Sequence, residues 1–224
     1  TISNKLLLLN EKRKLIENTI YNESIKQIGP QLKNNIIIIK GKNWHKGVLG
    51  IVAGKLVNKF NKPVIIISFD NNLAFGSARS IKSIDLGNIK IDLKKENLLL
   101  SGGGHKMAAG FKLTIDQISK FEKYLIKYFS SYDDNFFQKI DFYDSNIDLD
   151  QLNLELIEDI EKLEPFGNGN REPKFLIKDI FIEHAKIIKD KHVILFIKNN
   201  NNIQINAICF NCVDNNLGEN LLKS

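Results

Sequence analysis

Ile36-Ile37-Ile38-Ile39 constrains this chain more than any other stretch. Four β-branched residues in a row are stiff at χ1, and the run is too short for a helix and apolar on both faces. Such a strand must be covered on both sides, which predicts an inner position in an α/β sheet with helices packed against it. The neighbouring segments agree. Residues 5 to about 24 carry Leu6, Leu9, Arg13, Ile16 and Ile20 at a three-to-four-residue period, a helix that Gly29-Pro30 ends. From about Gly47, the residues Val48, Ile51, Val52 and Leu56 repeat with helical spacing, and glycines between them let that helix lie close to a sheet. Pro63 to Ser68 reads as a second buried strand, and Leu73 to Arg79 as a third, reached through the turn-forming Asp70-Asn71-Asn72.

Residues 85 to 96 suggest a short helix weakened by Gly87, and Leu98-Leu99-Leu100 leads into Ser101-Gly102-Gly103-Gly104-His105-Lys106-Met107-Ala108-Ala109-Gly110-Phe111. Phe111 to Leu113 continues as a strand. Thr114-Ile115-Asp116-Gln117 then fits a capping box that opens a helix to about Phe129, with Ile115, Ile118, Phe121 and Leu125 as its buried stripe. The polar, aromatic run Ser130 to Gln138 breaks the pattern and marks a domain boundary. Beyond it a helix from about Leu152 to Leu163 precedes the turn-rich Glu164 to Pro173. Short strand-like runs follow at 175–182, 186–188, 192–198 and 203–210, separated by Asn- and Asp-rich turns such as Asn199 to Asn202. Several short strands without long helices predict a small β-barrel. The expected fold is therefore an α/β domain with a mixed sheet and flanking helices, followed by a small β-barrel. The expected division is a connector helix over 1–30, the α/β domain over 31–130 and the β domain over 131–224.

With 224 residues, 43% hydrophobic and 26% charged, the chain has the composition of a soluble globular protein. No apolar run approaches the roughly 20 residues of a membrane span, and no basic-then-apolar leader is present, so the expectation is a cytoplasmic protein without a membrane partner. A formal charge of +6 permits a polyanionic partner. The sequence begins with Thr1 and ends at Leu221-Leu222-Lys223-Ser224 without a cap signal, so a piece of a longer protein is expected, truncated in its second domain. Cys209 and Cys212 have C-x-x-C spacing but no second ligand pair; His184 and His192 are the only histidines near them, and they are widely spaced. Both read as reduced structural thiols.

Three segments carry candidate chemistry. The glycines at 102, 103 and 104 admit unusual backbone angles and close approach, so a loop there could turn peptide N–H groups toward an anion beside His105 and Lys106; a tight strand-to-strand turn is the alternative. Trp44 and His45 precede a helix, where the dipole and free N–H groups favour an anion; the alternative is Trp44 as a core anchor and His45 as a helix-start residue. Ser77 and Arg79, two apart on a strand and followed by Ser80, project to one face and could clamp a phosphate, or could be an exposed strand end.

Taken in order, Trp44-His45-Lys46-Gly47-Val48-Leu49-Gly50-Ile51-Val52-Ala53, Gly76-Ser77-Ala78-Arg79-Ser80, the glycine-histidine block and Pro165-Phe166-Gly167-Asn168-Gly169-Asn170 resemble the C-terminal part of the RecJ family. These are bacterial exonucleases that degrade single-stranded DNA from the 5′ end. The first three blocks resemble the DHH-associated domain, and the fourth the junction into an OB-fold domain. The resemblance implies a role in DNA repair and recombination and single-stranded DNA as partner. It implies substrate contacts from Trp44, His45, Ser77, Arg79, Ser80, Gly102, Gly103, Gly104, His105 and Lys106, with Ser77 and Arg79 at the 5′ end. His105 would support catalysis by approaching the scissile phosphate. Manganese or magnesium would sit in an N-terminal DHH domain whose Asp-His-His motif this sequence lacks, so this chain by itself has no expected metal site or cofactor and is expected to be inactive. Phe175, Phe181 and Phe196 could stack on bases but are expected to pack inward. Competing readings are a free-standing single-strand-binding module, an oligonucleotide phosphoesterase of the DHH superfamily and a tRNA-related domain.

Overall fold

The structure, a computed structural model, describes residues 1–167, 169–213 and 216–223. Asn168, part of the fourth block above, lies outside them. The chain divides into two compact units, Thr1–Lys139 and Ile140–Ser224.

The first unit is a five-stranded mixed sheet with helices on both faces. Its elements are α1 (Ile2–Ile28), β1 (Ile37–Lys42), α2 (Leu49–Phe60), β2 (Val64–Asp70), β3 (Leu73–Arg79), α3 (Leu86–Lys95), β4 (Ser101–His105), β5 (Ala108–Thr114) and α4 (Ile115–Phe129). The spatial order is β1-β2-β3-β5-β4, with β1 parallel to β2 and every other pairing antiparallel. The isoleucine run sits where its composition requires: Ile36, Ile37, Ile38 and Ile39 are all buried. Helix α2 lies over β2 and β3, burying Leu49, Val52, Ala53, Leu56 and Val57. On the opposite face α4 enters through the capping box of Thr114 and Gln117, and its Phe121 ring packs 4.9 Å from the Phe111 ring of β5. The C-terminal half of α1 belongs to the same core through Ile20 and Ile28. It is tied to α2 by the buried Glu17, which pairs with Arg13 and Lys55. A buried carboxylate is tolerated because both cations reach it.

The second unit contains β6 (Ser145–Asn146), α5 (Leu154–Glu161), β7 (Phe175–Leu176), β8 (Ile180–Ile188), β9 (His192–Asn199), β10 (Gln204–Cys209) and α6 (Asn216–Lys223). Strands β10-β9-β8 form an antiparallel sheet, and β6 pairs in parallel with β7. These ladders do not close a barrel among the described residues. Two runs expected as separate strands are largely one: β8 is continuous over 180–188 and absorbs an irregularity between Ile182 and His184 as a bulge. Helix α6 is not among the elements expected from the sequence; its amphipathic face packs on β8 and β9. Val193, Leu195 and Ile197 of β9, with Leu149 and Cys212, form this unit's core. No helix among the described residues is long and apolar enough to cross a membrane.

Candidate nucleic acid interface

Strand registers of the first unit place the candidate residues on a grid. On the face of β3 that carries Phe75, Ser77 and Arg79, the opposite residues of β5 are Lys112, Gly110 and Ala108. Opposite these on β4 stand Ser101, Gly103 and His105. Helices α1 and α2 cover this face only as far as β3. Ser101, Gly103, His105 and Gly110 are therefore exposed. The result is a shallow open surface with Arg79 and His105 at its two sides, two strand spacings or roughly 10 Å apart. Its floor between them is Ala108, Gly110 and Gly103. A Cβ on Gly103 would meet nothing within 4 Å, so that glycine leaves open space for an incoming group rather than relieving a clash.

The glycines do not form a loop, and this corrects the sequence reading. Gly102, Gly103 and Gly104 are part of β4, an edge strand in register with β5, and the turn itself is Lys106-Met107. None of the three has a positive φ. Close packing explains two of them. A Cβ on Gly104 would lie 2.6 Å from the Ala108 carbonyl oxygen and from Ala109, and one on Gly102 would lie 3.1 Å from the Gly110 carbonyl oxygen. The turn is pinned by its own carbonyls: Lys106 O accepts from Leu86 N at 3.0 Å, and Met107 O accepts from Ser80 N at 3.0 Å. Lys106 and His105 are both exposed beside it.

Ser77 and Arg79 do share a face. The Arg79 guanidinium folds back along the strand, its Nη1 donating to Ser77 Oγ at 3.3 Å and to the Ala78 carbonyl at 2.9 Å. It fits because the first turn of α2 carries Gly50: a Cβ there would lie 2.6 Å from Arg79 Nη2 and 3.1 Å from Ser77 Oγ. Gly50 was in the sequence motif but not among the candidate site residues. A glycine in the opening turn of an otherwise good helix was the signal for it.

His45 caps the 3₁₀ turn Lys46–Val48 that leads into α2, its Nδ1 accepting from Gly47 N at 3.2 Å and leaving Nε2 as the outward nitrogen. Trp44 is buried, with its ring against Gly41, its indole N–H donating to Glu23 of α1 at 2.7 Å and its carbonyl accepting from Ser68 at 2.7 Å. That is the anchor arrangement of the two left open by the sequence. Ser80 is also buried, its hydroxyl donating to the Ile84 carbonyl at 2.9 Å. Neither side chain lines the open surface.

In the second unit, alternation along β9 buries Val193, Leu195 and Ile197 and turns Ile194, Phe196 and Lys198 to the other face. Register adds Phe181, His184 and Lys186 of β8 to that outward face. Phe181 is 53% exposed, and the Phe196 ring has His184 at 5.8 Å and the Lys186 ammonium at 5.5 Å. The expectation that these aromatics pack inward is overturned for Phe181 and Phe196. The β9 alternation was legible and carried the opposite answer. Cys209 and Cys212 remain free thiols, Cys212 Sγ donating to the Cys209 carbonyl at 3.2 Å. Burial, then the hydrogen bond and charge of Cys212, push the Cys209 thiol up to about 11.

The open surface of the first unit is lined by cations, hydroxyls and peptide groups, a donor set that suits phosphate and does not fit a divalent metal. No cluster of three or more His, Cys, Asp or Glu able to hold a metal exists among the described residues. Fold and surface together define an α/β domain with an open, donor-rich sheet face, followed by a small β domain. Residues 33–131 match the DHHA1 domain and residues 143–222 the RecJ OB domain, so this chain belongs to the RecJ family. Over 213 residues it is 30% identical to the single-stranded-DNA-specific exonuclease RecJ of Bacillus subtilis, a match covering 91% of this chain and 26% of that protein. The RecJ of Haemophilus influenzae is 28% identical over 215 residues, covering 91% and 37% respectively. The crystal structure of RecJ from Thermus thermophilus in complex with Mg2+ superposes with a TM-score of 0.73 at 26% identity, over 92% of this chain and 31% of that one. The chain thus spans about a quarter to just over a third of these relatives.

Proposed function

We propose that this chain is the strand-gripping part of a 5′-directed single-stranded DNA exonuclease, and that the divalent metals of the reaction are held by residues beyond these 224. The observation that carries the reading is the open surface of β3, β5 and β4, where Ser77, Arg79 and His105 converge over a floor of glycine and alanine. The terminal 5′ phosphate sits at Ser77 and Arg79, where a planar guanidinium and a hydroxyl offer several donors in a fixed arrangement. His105 and Lys106 meet the next phosphodiester from the pinned hairpin turn, and His45 adds a donor from the start of α2. Trp44 and Ser80 act as positioning residues, one anchoring the turn before α2 and the other holding the hairpin. Fixing a phosphate against a facing catalytic group contributes through orientation, since a prepaid entropy cost lowers the barrier of the hydrolytic step. The outward aromatic and basic face of the OB sheet, Phe181, Phe196 and Lys186, binds the strand without sequence preference by stacking and charge.

The test compares 5′-phosphorylated with 5′-hydroxyl oligonucleotides, by fluorescence anisotropy, on wild type and Arg79→Lys. A charge-assisted contact to a terminal phosphate is worth about 1.5–3 kcal/mol, so the preference for the phosphorylated end should fall roughly ten- to a hundredfold in the variant. An equal loss for both ends would mean that Arg79 contributes only to a diffuse positive field.

A further inference from the structure

Phe75 stands one same-face step along β3 from Ser77. Lys112 lies directly opposite it on β5, with its ammonium 5.6 Å from the Phe75 ring centroid. Lys46, from the turn ahead of α2, places its ammonium 3.2 Å from the same centroid. Three separate segments of chain thus bring two cations to one aromatic ring on the open surface. The ring's electron-rich face attracts each ammonium, but it does not neutralise either. Their carboxylate complement is thin: Lys46 has Asp70 at 3.8 Å with both side chains about half exposed, and Lys112 makes no ion pair among the described residues. Two like charges held together with so little counter-charge are short of an anion.

The distance to the neighbouring row of the grid suits a polymer. Two residues along a strand advance roughly 6.5 Å, which keeps this row within reach of a later phosphodiester of a strand that starts at Ser77 and Arg79 and passes His105. Gly110 and Gly103 leave the floor of the intervening row without side chains. We propose that Phe75, Lys46 and Lys112 form a second phosphate subsite, which takes an internal phosphodiester of the strand whose 5′ end is held at Ser77 and Arg79. The inference rests on the function proposed above and adds a length requirement: the grip is complete only when the strand carries a further phosphate that reaches this row. Phe75 serves as the post that orients both lysines, so the subsite reads backbone charge and is indifferent to base.

The experiment uses the whole 224-residue chain and 5′-phosphorylated oligothymidylates of one to six nucleotides, titrated at several salt concentrations. In wild type, affinity should step up about tenfold or more when a further phosphate can reach the lysine pair. In Lys46→Gln/Lys112→Gln the step should vanish while affinity for the mononucleotide stays within about twofold. The salt dependence for long strands should fall by about 0.7 in log–log slope for the phosphate lost. Phe75→Leu, which keeps both charges, should lose a severalfold part of the step; an unchanged step there would remove the ring from the subsite. A uniform loss at every length in the double variant, or a step that survives it, overturns the proposal and leaves the terminal-phosphate site standing. Failure of wild type to bind any of the phosphorylated oligonucleotides, the mononucleotide included, would instead sink the underlying function and this subsite with it.

Discussion

Replacing Gly50 with alanine separates the placement of Arg79 from the stability of the fold. An alanine Cβ at this position would sit 2.6 Å from Arg79 Nη2 and 3.1 Å from both Cζ and Ser77 Oγ. Favourable carbon contacts begin near 3.5 Å, so the guanidinium must retreat by about 1 Å, and it can, because it is the far end of a flexible side chain. Retreat strains or breaks its bonds to Ser77 Oγ and the Ala78 carbonyl, at 3.3 and 2.9 Å. Two effects on stability oppose each other. Alanine for glycine in a helix contributes up to about 1 kcal/mol, and loss of these hydrogen bonds costs about the same. Net stability should move by less than about 1 kcal/mol, whereas affinity for a 5′-phosphorylated oligonucleotide should drop roughly tenfold or more as a charge-assisted contact of at least about 1.5 kcal/mol is lost. Gly54, one turn further along α2, provides the control: a Cβ there meets nothing within 4 Å, so Gly54→Ala should raise the melting temperature and leave binding unchanged. Calorimetry and anisotropy on the three proteins decide it. A folded Gly50→Ala variant that keeps the wild-type affinity and end preference would refute the reasoning, because the guanidinium's position would then be irrelevant to the phosphate.

Two further outcomes are expected. Scrupulously purified chain incubated with manganese and single-stranded DNA should release no nucleotides, since its open surface carries phosphate donors and no cluster of metal ligands exists among the described residues; release that depends on His105 or His45 would contradict the assignment of the metals to residues elsewhere. Cys209, moved by partial burial and by Cys212 from its ordinary 9.0 to about 11, should form thiolate about a hundredfold less at pH 8 than a free thiol; rapid alkylation of the native protein there would count against its half-buried placement beside Cys212.

Local chemistry was enough to determine the isoleucine strand, the helix periods, the capping box at Thr114 and Gln117, and the shared face of Ser77 and Arg79. Each follows from side-chain shape or from a spacing of two to four residues, which physics reads without knowing what packs against them. The resemblance carried by Trp44 to Ala53, Gly76 to Ser80 and the glycine-histidine block likewise belongs to the sequence. Other decisions came only from tertiary structure. Glycines have no intrinsic preference for a strand, so Gly102 to Gly104 became β4 through pairing with β5 and the lack of room beside Ala109 and the Gly110 carbonyl. Trp44 could serve as core or surface until Glu23 from α1 and the bare backbone of Gly41 supplied a partner and a slot. The grouping of Phe75, Lys46 and Lys112 depends on the register between β3 and β5 and on where α2 begins, a coincidence in space that no local spacing encodes. Pairing between distant strands is set by the whole core at once, and for that reason the open surface of β3, β5 and β4, unlike the elements that build it, had to wait for the fold.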